Sequence, residues 1–266
     1  MLGALFGDIV GSVYEWHNIH TKEFPLVVDT SRFTDDSVMS IAVCDAFLEG
    51  MDNHYDDNQL KETLIKKMRE YGRKYPGRGY GGMFAQWLVT SNPKPYNSFG
   101  NGSAMRVSSV GWFYNSLEEV NHYAKISAEV THNHIEGIKG AQAIASSIYL
   151  ARQKKTKEEI LEYIKQTYGY NVEESLDETR KYYSFNVTCQ GSVPQAIRAF
   201  YESTGYEDAL RSAISIGGDS DTIACMTGGI AEAYYGMPKH LQDLALSKLD
   251  PDLITIINRF QDKVII

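Results

Sequence analysis

Apolar residues recur at helical spacing along almost the whole chain, and this pattern constrains the fold more than any other feature. Strand-like alternation is almost absent, and Val27-Val28 is the best weak candidate for a strand. Short connectors containing Gly, Pro or Asn separate the helical segments. The segments with a helical pattern are residues 1–15, 34–49, 57–73, 80–90, 117–130, 134–153, 156–168, 193–203, 206–215, 221–235, 238–248 and 251–263. The polar stretch 171–190 has no clear pattern and is interpreted as irregular.

The chain length and apolar content indicate how these helices are organised. With 266 residues, 43% of them hydrophobic, the chain can form one large core. No low-complexity linker or fixed-period repeat divides it. The sequence therefore predicts one all-α domain over residues 1–266, with helices that cross in several directions.

Three glycines, Gly3, Gly7 and Gly11, lie four residues apart on one face of the first predicted helix. Glycine is less favourable than alanine inside a helix by roughly 1 kcal/mol. Three such residues on one face predict that another backbone packs closely against that face.

Charge and cysteine content exclude several classes of protein. The net charge of −8 argues against nucleic acid as the main partner, and the basic runs 61–67 and 152–157 contain interspersed polar or acidic residues. No stretch is apolar enough to cross a membrane, and the first residues, which carry Asp8 and no basic region, do not resemble a signal peptide. Three widely spaced cysteines predict a reducing, cytoplasmic setting, with Cys44 and Cys225 in the core.

Two helix starts are unusually rich in side-chain oxygens. Thr34, Asp35 and Asp36 precede one apolar helical run, and in isolation they are explained as a helix cap with acids in the first turn. A second run follows Gly217-Gly218-Asp219-Ser220-Asp221-Thr222. One cap needs one oxygen, so a second such cluster favours a shared role. If the two starts face each other, four carboxylates and two threonine hydroxyls meet.

Such a concentration of negative charge requires protonation or a bound cation. Carboxylate and hydroxyl oxygens suit hard ions such as Mg²⁺ or Mn²⁺, and this number of oxygens suits two ions. The spacing alone does not establish that the two starts meet.

Five motifs make the chain resemble the ADP-ribosylglycohydrolase family. They are GALFGDIVGSVYE (3–15), FTDDS (33–37), SFGNGSAMRV (98–107), THNH (131–134) and GGDSDT (217–222), and they span most of the chain. The resemblance implies an orthogonal all-α bundle with a dinuclear Mg²⁺ or Mn²⁺ centre. It implies metal ligands at Thr34, Asp35, Asp36, Asp219, Asp221 and Thr222. We expect Glu15, Asp35 and Asp36 to be the catalytic residues, with Asp35 or Asp36 guiding the attacking water. Glu15 is expected to gate the site or to carry a proton.

The SFGNGSAMRV segment resembles the family's diphosphate and ribose segment. The expected substrate-binding residues are Ser98, Phe99, Gly100, Asn101, Gly102, Ser103, Met105 and His132. Glycines let backbone N–H groups approach an anion, and a helix is expected to begin near Ser103 with its positive end toward it. Arg106 either contacts phosphate or forms a structural salt bridge.

The resemblance implies removal of ADP-ribose from a modified protein or another conjugate by hydrolysis at the distal ribose. Arginine-directed members carry an Asp where Gly81 stands here, so the acceptor bond is expected to be O-linked: to serine, a polymer or an O-acetyl ester. The alternatives are an arginine-directed hydrolase, a non-catalytic ADP-ribose-binding or structural relative, and another metal hydrolase acting on a free nucleotide derivative. The product is ADP-ribose, and a monomer is expected.

Overall fold

The computed structural model describes residues 1–264, which fold into α-helices joined by loops and turns. The helices are Leu2–Gly11 (α1), Asp35–Asp52 (α2), Asp57–Lys74 (α3), Gly82–Val89 (α4), Gly102–Met105 (α5), Val110–Phe113 (α6), Leu117–Glu129 (α7), Ile135–Arg152 (α8), Lys157–Tyr168 (α9), Leu176–Thr179 (α10), Cys189–Glu202 (α11), Tyr206–Ile214 (α12), Ser220–Tyr235 (α13), Lys239–Ser247 (α14) and Pro251–Lys263 (α15). The all-α prediction is confirmed. Within residues 1–264 the only β-type pairing is one isolated bridge between Gly100 and Thr188, and Val27-Val28 lies in a loop.

Helices α1 and α13 cross at the centre of the molecule with almost no side chain between them. A methyl group on Gly7 would lie 2.0 Å from the carbonyl oxygen of Ala224, and one on Gly11 would lie 2.4 Å from Cα of Asp221. On the other side of this contact, a methyl group on Gly228 would lie 2.2 Å from the carbonyl oxygen of Gly3. The close backbone approach predicted from the glycine spacing is therefore confirmed. It fixes the end of α1 against the start of α13.

One continuous hydrophobic core surrounds this pair of helices. Cys44 and Cys225 are buried in it, as predicted, and so is Cys189. None of the helices within residues 1–264 combines the length and the hydropathy that a membrane span requires.

The stretch 171–190 is more regular than the sequence indicated. It contains the short helix α10, and α11 begins at Cys189 instead of residue 193. Pro194, next to the predicted start, therefore lies inside the helix and not at its first position. The Thr188 hydroxyl caps the observed start by accepting a hydrogen bond from the Gly191 N–H at 3.1 Å.

Candidate active site

The two acidic helix starts lie against each other. The Thr222 hydroxyl, in the first turn of α13, donates a hydrogen bond to Oδ2 of Asp36, in the first turn of α2, at 3.2 Å. Carboxylate oxygens of Asp36, Asp221 and Asp8 all lie within 4.8 Å of one another. Residues 186 positions apart in the sequence thus form one buried acidic cluster.

Asp8 is the member of this cluster that the sequence analysis missed. It lies in α1 and is fully buried. Its carboxylate accepts hydrogen bonds from the Thr34 N–H at 2.9 Å, the Thr34 hydroxyl at 2.6 Å, the Ser37 N–H at 3.1 Å and the Ser37 hydroxyl. Asp8 therefore anchors the start of α2 to α1. The sequence feature that could have identified Asp8 is that it is the single acidic residue in a helix whose other residues are all apolar or glycine.

Glu15 approaches the cluster from the loop after α1. Its carboxylate lies within 4.8 Å of ligand oxygens of Asp219 and Asp221. The Asn18 side chain holds this loop, since its amide nitrogen donates to the carbonyls of Tyr14 at 2.7 Å and Gly218 at 2.9 Å. The Gly218 N–H donates back to Oδ1 of Asn18 at 2.9 Å. Asn18 was also missed, because nothing in its sequence neighbourhood marks this role.

Glycine is required in the turn that presents Asp219. Gly217 and Gly218 have φ angles of +80° and +73°, in the left-handed region that other residues rarely adopt. The turn is further fixed by Asn101, whose amide nitrogen donates to Oδ2 of Asp219 at 2.6 Å and to the Ser192 hydroxyl at 3.0 Å. The glycine-rich segment and the second acidic turn are thus directly bonded.

Burial and mutual repulsion raise the pKa values of the clustered carboxyls. Burial, followed by the charge of Asp219, raises the pKa of Glu15 to about 7. Burial, followed by the charge of Asp8, raises that of Asp35 to about 8 and that of Asp36 well above its usual range. Burial also raises the pKa of Asp221 well above its usual range. Without a cation, ionisation of this cluster opposes folding.

The donor set fits one or two hard divalent cations. Every group in the cluster offers oxygen, and Oδ1 of Asp36 is buried without a hydrogen-bond donor among residues 1–264. A buried carboxylate oxygen with no donor is an unfavourable arrangement unless a cation compensates it. All-oxygen coordination is the preference of Mg²⁺ and Mn²⁺.

We expect the stability of the metal-free protein to fall as pH rises. A carboxyl whose pKa is higher in the folded state binds protons better there, so its contribution is present at low pH and is lost as pH rises through the folded value. For Glu15 this stability is lost between pH 4.5, its ordinary pKa, and about pH 7. For Asp35 it is lost between pH 3.8 and about pH 8. Urea denaturation in EDTA between pH 5 and pH 8 measures this, and added Mg²⁺ should flatten the profile. A flat profile in EDTA would contradict the assignment.

A cavity of about 580 Å³ opens above the acidic cluster. Its volume is within the range of small-molecule sites. The predicted site residues that line it are Glu15, Asp35, Asp36, Ser98, Gly100, Asn101, Gly102, Met105, His132, Asp219, Asp221 and Thr222. It is also lined by residues that the sequence analysis did not select, including Trp16, Tyr96 and Phe185. Gly81 lines the cavity as well.

Three predicted site residues do not line the cavity. The Thr34 hydroxyl lies beneath the cluster and donates to Asp8. The Ser103 hydroxyl is buried and donates to the Gly137 carbonyl at 2.7 Å. Phe99 is 46% exposed, and its ring centroid lies 5.3 Å from that of His134.

The helix expected near Ser103 is α5, whose four residues give it only a small dipole.

Arg106 lines the cavity from below and forms no ion pair within residues 1–264, so the structural salt bridge considered from the sequence is wrong. One of its nitrogens, Nη2, donates to the Ser127 carbonyl at 2.9 Å and to the Thr131 hydroxyl at 2.8 Å. Within the described part of the chain, its polar contacts are thus to neutral oxygens.

Comparisons with known proteins agree with this architecture. A family model described as ADP-ribosylglycohydrolase matches residues 1–263. Human "ADP-ribosylhydrolase ARH3" is 30% identical over an alignment that covers 89% of this chain and 84% of that protein. "ADP-ribosylarginine hydrolase Tri1" of Pseudomonas putida (strain GB-1) is 22% identical, with 93% of this chain and 74% of that protein covered.

A solved structure described as "ADP-ribosylglycohydrolase-related protein complex" superposes with a TM-score of 0.69. The superposition covers 99% of this chain and 97% of that one at 20% sequence identity, so it shows a shared fold.

Proposed function

The chain belongs to the ADP-ribosylglycohydrolase family, and from this premise we propose that it is a metal-dependent hydrolase that releases ADP-ribose from O-linked conjugates. The observation that carries the proposal is the meeting of the two acidic helix starts at the floor of a cavity that the glycine-rich segment also lines. A buried oxygen cluster that can hold cations beside a cavity of about 580 Å³ suits hydrolysis at a ribose carbon. Such reactions pass through an oxocarbenium-like transition state, for which positioning and electrostatics matter most.

We propose Thr34, Asp35, Asp36, Asp219, Asp221 and Thr222 as ligands of two Mg²⁺ or Mn²⁺ ions. The buried position of Asp8 within 4.8 Å of Asp36 and Asp221 oxygens adds it as a supporting acid beneath them. Bound divalent ions supply charge stabilisation, orient substrate oxygens and make water easier to deprotonate.

The chain's own side chains then have distinct tasks. Asp35 and Asp36 face the cavity, where a carboxylate oxygen can accept the proton of the attacking water. Glu15 lies at the loop edge of the cluster, beside Asp219 and Asp221, where its carboxyl can hold a proton for the departing oxygen. The Asn18 hydrogen bonds keep Glu15 over Asp219.

Two observations support an O-linked acceptor over arginine. Gly81 lines the cavity, and the family resemblance implies that arginine-directed members carry an acid at this position. The protein named for arginine conjugates is 22% identical to this chain, whereas human ARH3 is 30% identical. Arginine-linked ADP-ribose is the second candidate substrate, because the Tri1 match nevertheless covers 93% of the chain.

We expect free ADP-ribose to be released from a serine-linked ADP-ribosyl peptide in Mg²⁺, and at least about tenfold more slowly from an arginine-linked peptide of the same sequence. The reason is that the cavity lacks an acid at residue 81 to handle the arginine-linked ribose. EDTA should stop the reaction, and Mg²⁺ or Mn²⁺ should restore it. Faster release from the arginine peptide would reverse the acceptor assignment. An EDTA-insensitive rate would remove the metal from the mechanism, and binding without release would indicate a non-catalytic relative.

A further inference from the structure

A buried positive charge lies behind the glycine-rich segment without an acidic partner. The Arg106 side chain is 1% exposed, and its Nε has no hydrogen-bond acceptor among residues 1–264. Its Nη2 is bonded only to neutral oxygens, those of Ser127 and Thr131. Burial of an arginine without a carboxylate is unfavourable unless another anion compensates it. Arg106 also lines the cavity, so a ligand bound there can supply the compensating anion.

The Thr131 hydroxyl connects this charge to His132. It accepts a hydrogen bond from Arg106 at 2.8 Å, and it lies 2.7 Å from Nδ1 of His132. A hydroxyl has one hydrogen to donate. The competing acceptor is the Ala128 carbonyl, at 3.5 Å, which already accepts the N–H groups of Thr131 at 3.1 Å and His132 at 2.8 Å. The hydroxyl hydrogen therefore points to Nδ1 of His132.

This bond determines which tautomer His132 adopts. In a neutral imidazole one nitrogen accepts and the other carries the hydrogen. Because Nδ1 accepts from Thr131, the hydrogen is on Nε2. Burial, with the nearby charge of Arg106, lowers the pKa of His132 well below its ordinary value, so the ring stays neutral.

The Nε2 atom faces the glycine-rich segment. A methyl group added to Gly102 would lie 3.2 Å from it, and one added to Gly100 would lie 3.6 Å away. The absence of side chains at these positions leaves Nε2 uncovered on the cavity wall. Among residues 1–264, the N–H groups of Gly102 and Ser103 also have no acceptor. Two of these donor groups, His132 Nε2–H and the Gly102 N–H, belong to residues that line the cavity together with the buried Arg106.

We propose that Arg106 and Thr131 are positioning residues that hold His132 as an Nε2–H donor to an anionic oxygen, a phosphate oxygen of a nucleoside diphosphate. The tautomer follows from the hydrogen bonds alone, whereas the identity of the anion rests on the proposed function. The hydrogen-bonded chain Arg106–Thr131–His132 is called the relay below. In the relay, Arg106 supplies the positive charge and His132 supplies the directed hydrogen bond.

The tautomer is tested first in the ligand-free wild-type protein, which requires no variant. Nitrogen-15 NMR of the labelled histidines should show His132 with hydrogen on Nε2 and a hydrogen-bonded, unprotonated Nδ1. The peak is assigned with His132→Gln. Hydrogen on Nδ1 would overturn the relay.

Variants then test whether the relay matters for binding. Thr131→Val removes the hydroxyl, so we expect a mixture of tautomers, and a dissociation constant for ADP-ribose raised about threefold to tenfold, the value of one hydrogen bond. The loss should fall mainly on KM, with a smaller change in kcat at saturating substrate, because the Thr131 hydroxyl contacts His132 and not the acidic cluster. Thr131→Ser, which keeps the hydroxyl, should restore both the tautomer and the affinity. Unchanged tautomer and affinity in Thr131→Val would contradict the proposal.

A matched pair at position 132 tests the donor itself. Glutamine is long enough to place its amide nitrogen near the former Nε2, whereas asparagine reaches only the former Nδ1. His132→Gln should therefore bind ADP-ribose more tightly than His132→Asn, and this difference should vanish with adenosine, which lacks phosphate. Equal affinities of both variants for ADP-ribose would overturn the assigned donor. If wild-type protein has the assigned tautomer but does not bind ADP-ribose, the proposed function and the assigned anion fail while the relay stands.

Discussion

Replacing Asp36 with asparagine is expected to lower kcat at least about a hundredfold on the serine-linked substrate while the protein stays folded. Asp36 lies in both the hydrogen bond and the oxygen cluster that join the two acidic helix starts, and one of its oxygens has no donor. An amide in its place removes one negative charge from the cation site. Steady-state kinetics and Mg²⁺ titration by calorimetry measure the loss.

The same substitution should stabilise the metal-free protein at pH 8. Burial and the charges of Asp8 and Asp35 disfavour ionised Asp36, so a neutral side chain relieves repulsion. Urea denaturation in EDTA should show a higher midpoint for Asp36→Asn than for wild type. Lower stability together with retained turnover would contradict the assignment of Asp36 as a cation ligand.

Asp45→Asn is the matched control on the same helix. Asp45 is also buried, but it is paired with Lys67 at 2.7 Å and Arg259 at 3.0 Å. Removing its charge leaves Lys67 and Arg259 with only their weaker partners, Glu49 at 3.0 Å and Asp52 at 3.5 Å, which should destabilise the fold by about 1–3 kcal/mol. Because Asp45 is absent from the cavity wall, kcat should change little. Asp36→Asn is therefore expected to lower turnover and raise the stability of the metal-free protein, whereas Asp45→Asn should lower stability and leave turnover nearly unchanged.

Gly7→Ala is expected to be the most destabilising single methyl addition between α1 and α13, by at least about 3 kcal/mol. The added carbon would lie 2.0 Å from the carbonyl oxygen of Ala224 and 2.5 Å from its carbonyl carbon, both backbone atoms of a buried helix. Intrinsic helix propensity favours alanine by roughly 1 kcal/mol, so a loss must come from packing. Urea denaturation, or loss of soluble expression, measures it.

Gly50→Ala is the control for helix propensity. Gly50 is likewise buried in a helix, but a methyl group there would meet Cδ1 of Leu60 at 3.1 Å, the movable end of a side chain. We expect its stability to stay within about 1 kcal/mol of wild type. Equal effects of the two substitutions would show that the α1–α13 contact tolerates separation.

Much of this site could be predicted from sequence because its chemistry lies in local motifs. Helical periodicity determined the fold class, and the spacing of Gly3, Gly7 and Gly11 determined that two backbones meet. The acids of the two helix starts were identifiable because a single cap does not need so many oxygens.

Only the tertiary structure decided which groups meet. Asp8 joins the cluster because the α1–α13 crossing brings its helix beneath both acidic turns, a relation between segments more than two hundred residues apart. Asn18 and Thr131 act through hydrogen bonds to partners that their own neighbourhoods do not specify. Local conformation and the kinds of ligand atoms were predictable from the sequence, since these depend on side chains a few positions apart. The pairings, the burial and the raised pKa values depend on distances across the core, and only packing sets those.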